Sequence, residues 1–179
     1  MKPSTLLKSA LACTLLLPFA GCHSKSAPTS ENFLQGLNKH YVDHPDCLLA
    51  NIHFPYETTD PKETAQMDTL VKSQLLDKSV EMAIHVSRYT VTTVGTRYAP
   101  SFCYGHRVAN TIDSFTPPAV ANGFNETQVT YHYTMEEVPV WAKSANVLNA
   151  FPSMAEITSG HATGVATLAQ TPVGWQVPD

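Results

Sequence analysis

The spacing of apolar residues predicts two helices in the first half of the chain. The first has an N-cap at Ser30 and apolar residues on one helical face, at Phe33, Leu34, Leu37 and Tyr41. This helix should end before Pro45, because proline cannot continue a helix. The second should begin at Asp60-Pro61 and run to about Leu76, along an apolar stripe formed by Met67, Leu70, Val71 and Leu75.

The segments that follow each helix are typical of extended structure. Residues 47–54 are apolar and lie between two prolines, which predicts a strand or a buried extended segment. From Glu81 onward β-branched and aromatic residues dominate, and this indicates a β-rich region. The predicted strands cover residues 83–87, 88–94, 102–105, 107–112 and 127–134.

The C-terminal part of the chain completes the predicted fold. A short helix is expected around Pro152, between residues 143 and 157, and a closing hairpin is expected across residues 171–174. Helices that precede strands in this way indicate the α+β class. We therefore predict N-terminal helices packed on a C-terminal antiparallel sheet.

The first residues of the chain have the anatomy of a secretory signal. Two lysines precede an apolar stretch over residues 6–19, which is followed by Ala20-Gly21-Cys22. The apolar run is about 14 residues long, whereas a membrane span needs roughly 20. Residues 16–22 resemble a bacterial lipobox, which implies cleavage before Cys22 and acylation of its thiol. The predicted divisions are a lipoprotein signal at 1–21, a flexible tether at 22–30 and a single α+β domain at 31–179.

The same resemblance implies a location. His23, where an Asp would favour the inner membrane, implies the outer membrane facing the periplasm, with the inner membrane as the alternative. After cleavage the chain keeps nine basic residues against fifteen acidic ones, a formal charge of −6. This charge disfavours nucleic acid as a partner. It also disfavours adsorption to anionic lipid, so the lipid anchor would have to hold the protein at the membrane.

The four cysteines predict one disulfide. Cys13 would leave with the signal and Cys22 would be acylated, so Cys47 and Cys103 remain as a pair in an oxidising compartment. A bridge between them closes a loop that costs the unfolded chain about 4 kcal/mol of free energy in the chain-entropy model. The alternatives are a catalytic or a metal-binding thiol, although neither cysteine has a second thiol or a close histidine at ligand spacing.

Two sets of side chains are candidates for binding. His40 and His44 are separated by one helical turn, which can place two imidazoles on one face for a metal ion. A third ligand would have to come from elsewhere, for example His53 or His85, and the competing interpretation is a pair of surface or capping histidines. A groove for a peptide or ligand is the other candidate, with core packing as the default interpretation of its aromatic residues, Tyr104, Trp141 and Trp175.

The sequence contains no arrangement typical of an enzyme. Its serines lie outside any GxSxG or SxxK motif. Glu136 and Glu137 are adjacent on a predicted strand and should point to opposite faces, so they cannot act as one carboxylate pair. We therefore expect no catalytic activity and no cofactor.

Two segments carry resemblances to known folds. Residues 67–76 followed by 87–95 resemble the helix, the stop and the wing strand of winged-helix domains, with Gln74 where such sequences commonly have glycine. In an acidic secreted chain this resemblance implies a protein-interaction module. Residues 166–177 are similar to the last hairpin of cystatin-like and nuclear transport factor-like sheets.

Together these features predict a non-enzymatic, lipid-anchored periplasmic module that binds another envelope protein. The alternative is a periplasmic protein that binds a small ligand or a metal ion in a pocket between the helices and the sheet. An exposed apolar patch would favour the first function, and a deep closed cavity would favour the second.

Overall fold

A computed structural model describes residues 24–160 and 162–178. Within these ranges the helices are α1 (Ser30–Asp43), α2 (Pro61–Lys72), α3 (Ala145–Ala150) and α4 (Pro152–Ile157). The strands are β1 (Tyr56–Thr58), β2 (Leu76–Glu81), β3 (Val86–Val91), β4 (His106–Phe115), β5 (Ala119–Ala121), β6 (Phe124–Glu136), β7 (Ala162–Thr171) and β8 (Gly174–Gln176).

The strands form two antiparallel sheets. The larger sheet has the order β4-β6-β7-β8, with β5 also paired to β6, and the smaller sheet has the order β1-β3-β2. The α+β class is therefore confirmed. The expected single sheet is divided in two, because a long excursion of the chain builds its own small sheet before β4 begins.

The two sheets belong to two packed units. We call residues 24–44, 106–136 and 162–178 the sheet unit, and residues 45–105 and 137–160 the insert unit. The insert unit consists of two excursions, one between α1 and β4 and the other between β6 and β7. Met135 and Ile157 pack against the buried residues of both units and so join their cores.

In the sheet unit, α1 covers one face of the large sheet. Phe33 and Leu37 on this helix are fully buried against inward side chains of the strands, Val129, Tyr131, Tyr133, Leu168 and Trp175. Gly36 is needed at the helix surface, since a Cβ there would collide with the carbonyl oxygen of Trp175. Helix and sheet therefore approach closely, and burial of their apolar side chains holds them together.

The insert unit collects its core from several separate segments. Helix α2 contributes Met67 and Leu70, and the small sheet contributes Leu76 and Tyr89. Further buried residues come from the loops and from the second excursion, namely Phe102, Tyr104, Trp141, Val147 and Met154. The predicted helix around Pro152 is present as two short helices, and Pro152 occupies the first turn of α4, where its missing N–H costs nothing.

Helix α2 ends earlier than predicted, at Lys72 rather than near Leu76. The reason is Gln74, which has a φ of 61° and so takes the left-handed conformation that ends many helices. Leu75 and Leu76 follow it as buried residues that lead into β2. Gln74 therefore adopts the backbone conformation for which winged-helix sequences commonly use glycine.

Two predicted strands are absent from the described residues. Residues 48–54 form turns, and the backbone N–H groups of Leu48 and Leu49 donate to the carbonyls of Phe102 and Ser101 in another turn. In this region the backbones of Cys47 and Cys103 pair in a single isolated antiparallel β-bridge, and neither residue is part of a strand. The predictions over 47–54 and 102–105 were wrong because the apolar residues here fill a loop-built core.

The described end of the predicted tether packs against the sheet unit. The indole N–H of Trp175 lies 3.2 Å from the carbonyl oxygen of Ser26 and 3.1 Å from that of Ala27. The side-chain amide of Gln170 also donates to the Ser26 carbonyl. The chain from Ser24 to Thr29 is thus attached to the domain by hydrogen bonds. No helix in the described ranges is long and apolar enough to cross a membrane.

Candidate functional site

The predicted disulfide between Cys47 and Cys103 is confirmed. It lies where the chain enters and leaves the insert unit. Beside it the Asp46 N–H donates to the Gly105 carbonyl (2.9 Å) and the Tyr104 N–H donates to the Asp46 carbonyl (2.8 Å). We call this crossing point the neck. The other predicted modification site, Cys22, lies outside the described residues.

An ion pair joins the two sides of the neck. The Arg107 guanidinium donates to both carboxylate oxygens of Asp46, through Nε to Oδ2 at 2.9 Å and through Nη2 to Oδ1 at 2.8 Å. The guanidinium carbon also lies 4.9 Å from the ring centre of Tyr133 and 5.5 Å from that of Tyr41. This forked pair between two aromatic rings fixes the first residues of the insert unit to β4.

Two tyrosines near this pair, Tyr104 and Tyr131, have raised pKa values. Burial, followed by the nearby Asp46 carboxylate, raises the pKa of Tyr104 to about 12. Burial and the hydrogen bond between the hydroxyls of Tyr41 and Tyr131 raise the pKa of Tyr131 as well. Both phenols are therefore uncharged at neutral pH, and the charges at the neck are those of Asp46 and Arg107.

Of the candidate metal ligands, His40 lies in the last turn of α1, whereas His44 is the residue that caps its C-terminal end and lies just outside the helix. Their rings stack with centres 4.1 Å apart, and His44 Nδ1 lies 2.9 Å from the His40 carbonyl oxygen. Among the described residues, no group of three His, Cys, Asp or Glu side chains is placed to hold a metal ion.

The three aromatic residues considered for a groove are buried, as their default interpretation as core residues predicted, and they lie in two different cores. Tyr104 and Trp141 are buried in the insert unit, whereas Trp175 is buried in the sheet unit against Phe33. A joint groove is therefore wrong, because the division into two units separates these side chains. Tyr104 borders an open groove of about 640 Å³ that is also lined by Gln66 and Phe151. Trp141 packs edge-on against Tyr98, and its indole Nε1 has no hydrogen-bond partner among the described residues.

A surface that the sequence interpretation missed lies at the end of the β2–β3 hairpin. Three apolar side chains project there into solvent, Val80 with 49% of its surface exposed, Met82 with 74% and Ile84 with 61%. We call these three residues the wing tip. They line an open groove of about 490 Å³, and the ion-paired side chains of Arg88 and Glu57 also line it.

The sequence pattern explains why the wing tip was missed. Apolar residues alternate with others from Val80 to Val86, which is typical of a half-buried strand. In the structure the chain turns over residues 82–85, with His85 in the left-handed conformation at a φ of 54°. The predicted strand over 83–87 is therefore largely a turn, and its apolar residues lie beyond the reach of the core.

Two carboxylates on α2 hold the base of this hairpin in place. Asp68 accepts hydrogen bonds from Lys78 Nζ on β2 (2.8 and 2.9 Å) and from the Tyr89 hydroxyl on β3 (2.8 Å). Glu63 accepts from the hydroxyls of Tyr56 and Thr58 on β1, both at 2.6 Å. Hydrogen bonding to Thr58, then to Tyr56, lowers the pKa of Glu63. All three strands are thereby attached to one helix, so the wing tip projects from a braced base.

On the outer face of the large sheet, three polar side chains form a chain across neighbouring strands. Asp113 Oδ2 lies 3.0 Å from His132 Nε2, and His132 Nδ1 lies 3.2 Å from Thr163 Oγ1. Carboxylate, imidazole and hydroxyl stand in the order of a hydrolase triad. All three are exposed to water, which removes the low dielectric that makes such groups catalytic. We interpret the chain as a cross-strand contact worth less than about 1 kcal/mol.

The chain matches no family model, no curated protein and no solved structure. The wing tip exposes apolar surface, and the neck fixes the position of the unit that exposes it.

Proposed function

We propose that this protein is a lipid-anchored, non-enzymatic module that binds another protein of the bacterial envelope through its wing tip. The observation that carries the proposal is the exposure of Val80, Met82 and Ile84 on a braced hairpin. Large apolar side chains that project together from a folded unit are typical of protein-binding surfaces. Their burial by a partner would contribute about 25 cal/mol for each Å² of apolar surface removed from water.

The braced base of the hairpin favours binding in a second way. Lys78 and Tyr89 are hydrogen-bonded to Asp68, so β2 and β3 are positioned before a partner arrives. A surface that is already ordered loses less conformational entropy on binding than a flexible loop does. Exposed and ordered apolar groups therefore make the wing tip a better binding surface than a mobile loop of the same composition.

The element order of the insert unit supports the winged-helix resemblance. Helix α2 is followed by the left-handed Gln74 and then by the β2–β3 hairpin, and β1 joins β3 at the other edge of the small sheet. The anchor itself comes from the lipobox resemblance of residues 16–22, with acylation at Cys22. We place the mature protein on the outer membrane, facing the periplasm.

The alternative function, binding of a small ligand or a metal ion, receives less support from the geometry. The groove beside Tyr104 and the groove beside the wing tip are both open to solvent rather than enclosed. His40 and His44 have no third ligand among the described residues. The observations therefore favour the protein-binding function.

Site-specific crosslinking in intact cells tests this proposal. A photo-reactive amino acid replaces Met82 or Ile84 in the full chain, and adducts are identified by mass spectrometry. Val140 is the matched control, since it is an apolar residue of the same unit with 88% of its surface exposed. We expect one envelope protein to be captured from the wing-tip positions and not from position 140.

Charge substitution completes the test. Met82→Asp and Ile84→Asp should abolish co-purification of the captured protein without unfolding the domain, whereas Val140→Asp should leave co-purification unchanged. Circular dichroism of each variant verifies its folding. Equal capture from positions 82 and 140, or a partner retained by both wing-tip variants, would contradict the proposal. Loss of the partner in Cys22→Ala alone would instead indicate a requirement for the anchor.

A further inference from the structure

The large sheet has two ends with different attachments. Strand β6 pairs with β4 through His106 and Glu136 at one end, and this is where both excursions into the insert unit begin. The opposite end carries the β5–β6 turn and the β7–β8 turn, because Glu126 pairs with Ala169 there. We call the first the neck end and the second the turn end. Thirteen residues of β6 at about 3.3 Å per residue place these ends about 40 Å apart.

The described N-terminal segment is attached at the turn end. Ser26 accepts hydrogen bonds from Gln170 near the end of β7 and from Trp175 on β8. The carbonyl oxygen of Lys25 lies close to Gly174, at 3.3 Å from the position that a Cβ would occupy there. Asn32 also donates to the carbonyls of Ser24 and Ala27, which ties this segment to α1. The chain therefore meets the domain at the turn end, far from the neck.

Large apolar side chains are exposed at this same end. Val120 on β5 has 80% of its surface exposed, Phe124 at the start of β6 has 50%, and Val173 in the β7–β8 turn has 65%. Phe124 also lines a groove of about 580 Å³ together with Val177 and Pro178. These residues lie at the end of the sheet where the N-terminal segment is attached.

We infer that the turn end rests on the lipid surface, with Val120, Phe124 and Val173 in the interfacial layer of the bilayer. The inference rests on the proposed acylation of Cys22. Only His23 separates Cys22 from Ser24, and two residue steps span at most about 7 Å. An acylated Cys22 would therefore hold the docked Ser24 within that distance of the lipid, and the exposed apolar side chains of the turn end with it.

This orientation has a consequence for the proposed partner. The neck end lies about 40 Å from the turn end along β6. The sheet unit acts as a spacer, and the insert unit with its wing tip is attached on the side away from the membrane. A partner would thus be met in the periplasm and not at the lipid surface.

Fluorescence in lipid vesicles tests the orientation. An environment-sensitive fluorescent amino acid replaces Val120 or Val173 at the turn end, or Val140 in the insert unit as an equally exposed valine control. One preparation is the lipid-modified protein purified from cells. The other is the mature chain coupled through the Cys22 thiol to a maleimide-bearing phospholipid. Both are reconstituted in vesicles of phosphatidylethanolamine and phosphatidylglycerol, with and without brominated acyl chains.

We expect a blue shift and strong quenching by brominated lipid at positions 120 and 173 in both preparations, and neither at position 140. The orientation would be overturned if, in the coupled protein, the probes at positions 120 and 173 showed no blue shift and no quenching by brominated lipid. A blue shift that needs no vesicles and grows with protein concentration would also overturn it, in favour of contact with a second copy. If only the protein from cells fails to float with vesicles, natural acylation fails while the orientation on lipid stands.

Discussion

The sheet unit and the insert unit of this protein are stabilised in different ways. In the sheet unit, long strands alternate inward and outward side chains, and one helix, α1, covers one face. Apart from α2, the helices and strands of the insert unit have six residues or fewer, and its core is assembled from two excursions that are far apart in the chain. It is closed at the neck by a disulfide and by the ion pair between Asp46 and Arg107.

The difference shows what a small unit needs when most of its helices and strands are short. Regular pairing over many residues lets the sheet unit gain stability from repeated local contacts. The insert unit depends more on links that hold its ends together, because each such link removes conformations from the unfolded chain. The insert unit should therefore be the more sensitive of the two to changes at the neck.

The largest effect is expected from removal of the disulfide. Cys47→Ser combined with Cys103→Ser should lower the free energy of unfolding by about 4 kcal/mol, the cost of closing a loop between residues 56 apart. Urea denaturation measures this loss. Hydrogen exchange followed by mass spectrometry should show that β2 and β3 lose protection before β6 and β7. If all four strands lost protection at the same time, the insert unit would not be more sensitive to the neck than the sheet unit.

A smaller loss is expected from breaking the ion pair. Arg107→Leu leaves the mostly buried Asp46 carboxylate unpaired and should cost about 3 kcal/mol in free energy of unfolding. The double variant with Asp46→Leu removes both charges and should recover part of this loss. Chemical denaturation of the single and double variants measures both values. A double variant that is less stable than Arg107→Leu alone would show that the carboxylate is not the source of the cost.

Alkaline pH should act on the same region. Tyr104 has its pKa raised from 10.0 to about 12 in the folded protein, so the unfolded chain ionises first as the pH rises. Its contribution to stability is complete below pH 10 and decreases between pH 10 and 12, with about 1.4 kcal/mol lost at pH 11. Urea denaturation of the wild type and of Tyr104→Phe at pH 8 and pH 11 isolates this term. An equal decrease in both proteins would assign it to other tyrosines.

The smallest effect is a gain of stability at the end of α2. Gln74 is exposed and has a left-handed backbone, which costs a residue with a Cβ about 1 kcal/mol relative to glycine. Gln74→Gly should therefore raise the free energy of unfolding by up to about 1 kcal/mol, less the entropy that glycine adds to the unfolded chain. Thermal denaturation compares it with the control Gln74→Ala, which keeps the Cβ. An equal change in both variants would mean that the strain is absent.

Local patterns in the sequence predicted the helices and strands whose apolar side chains lie on one face. Helices α1 and α2 followed from one apolar stripe each, and α2 begins at Asp60-Pro61 as predicted. The N-cap predicted at Ser30 was wrong by one residue, because the Thr29 hydroxyl accepts the hydrogen bond from the Asn32 N–H. Strand β6 followed from its alternation, since Val129, Tyr131 and Tyr133 all point to the core. The disulfide followed from counting the cysteines that remain after the signal.

The candidate sites were less predictable, because each depends on residues that are distant in the chain. Whether Tyr104 and Trp175 share a groove is decided by the assignment of each to a unit, and the sequence contains no sign of that division. Ile84 of the wing tip was predicted to lie in a strand over 83–87, because alternation does not reveal where a hairpin turns. The pairing of Asp46 with Arg107 likewise joins residues that only the folded neck brings together.

By itself, the sequence determined the two long helices, the alternating strands, the α+β class and the pairing of Cys47 with Cys103. Each of these depends on neighbours one helical turn or two strand positions apart, or on the number of thiols. The tertiary structure alone decided that the strands divide into two sheets, that the wing tip is exposed, and that residues 24–27 meet the sheet at the end opposite the neck. These are long-range relations, set by which segments bury surface against one another, and no local period encodes them.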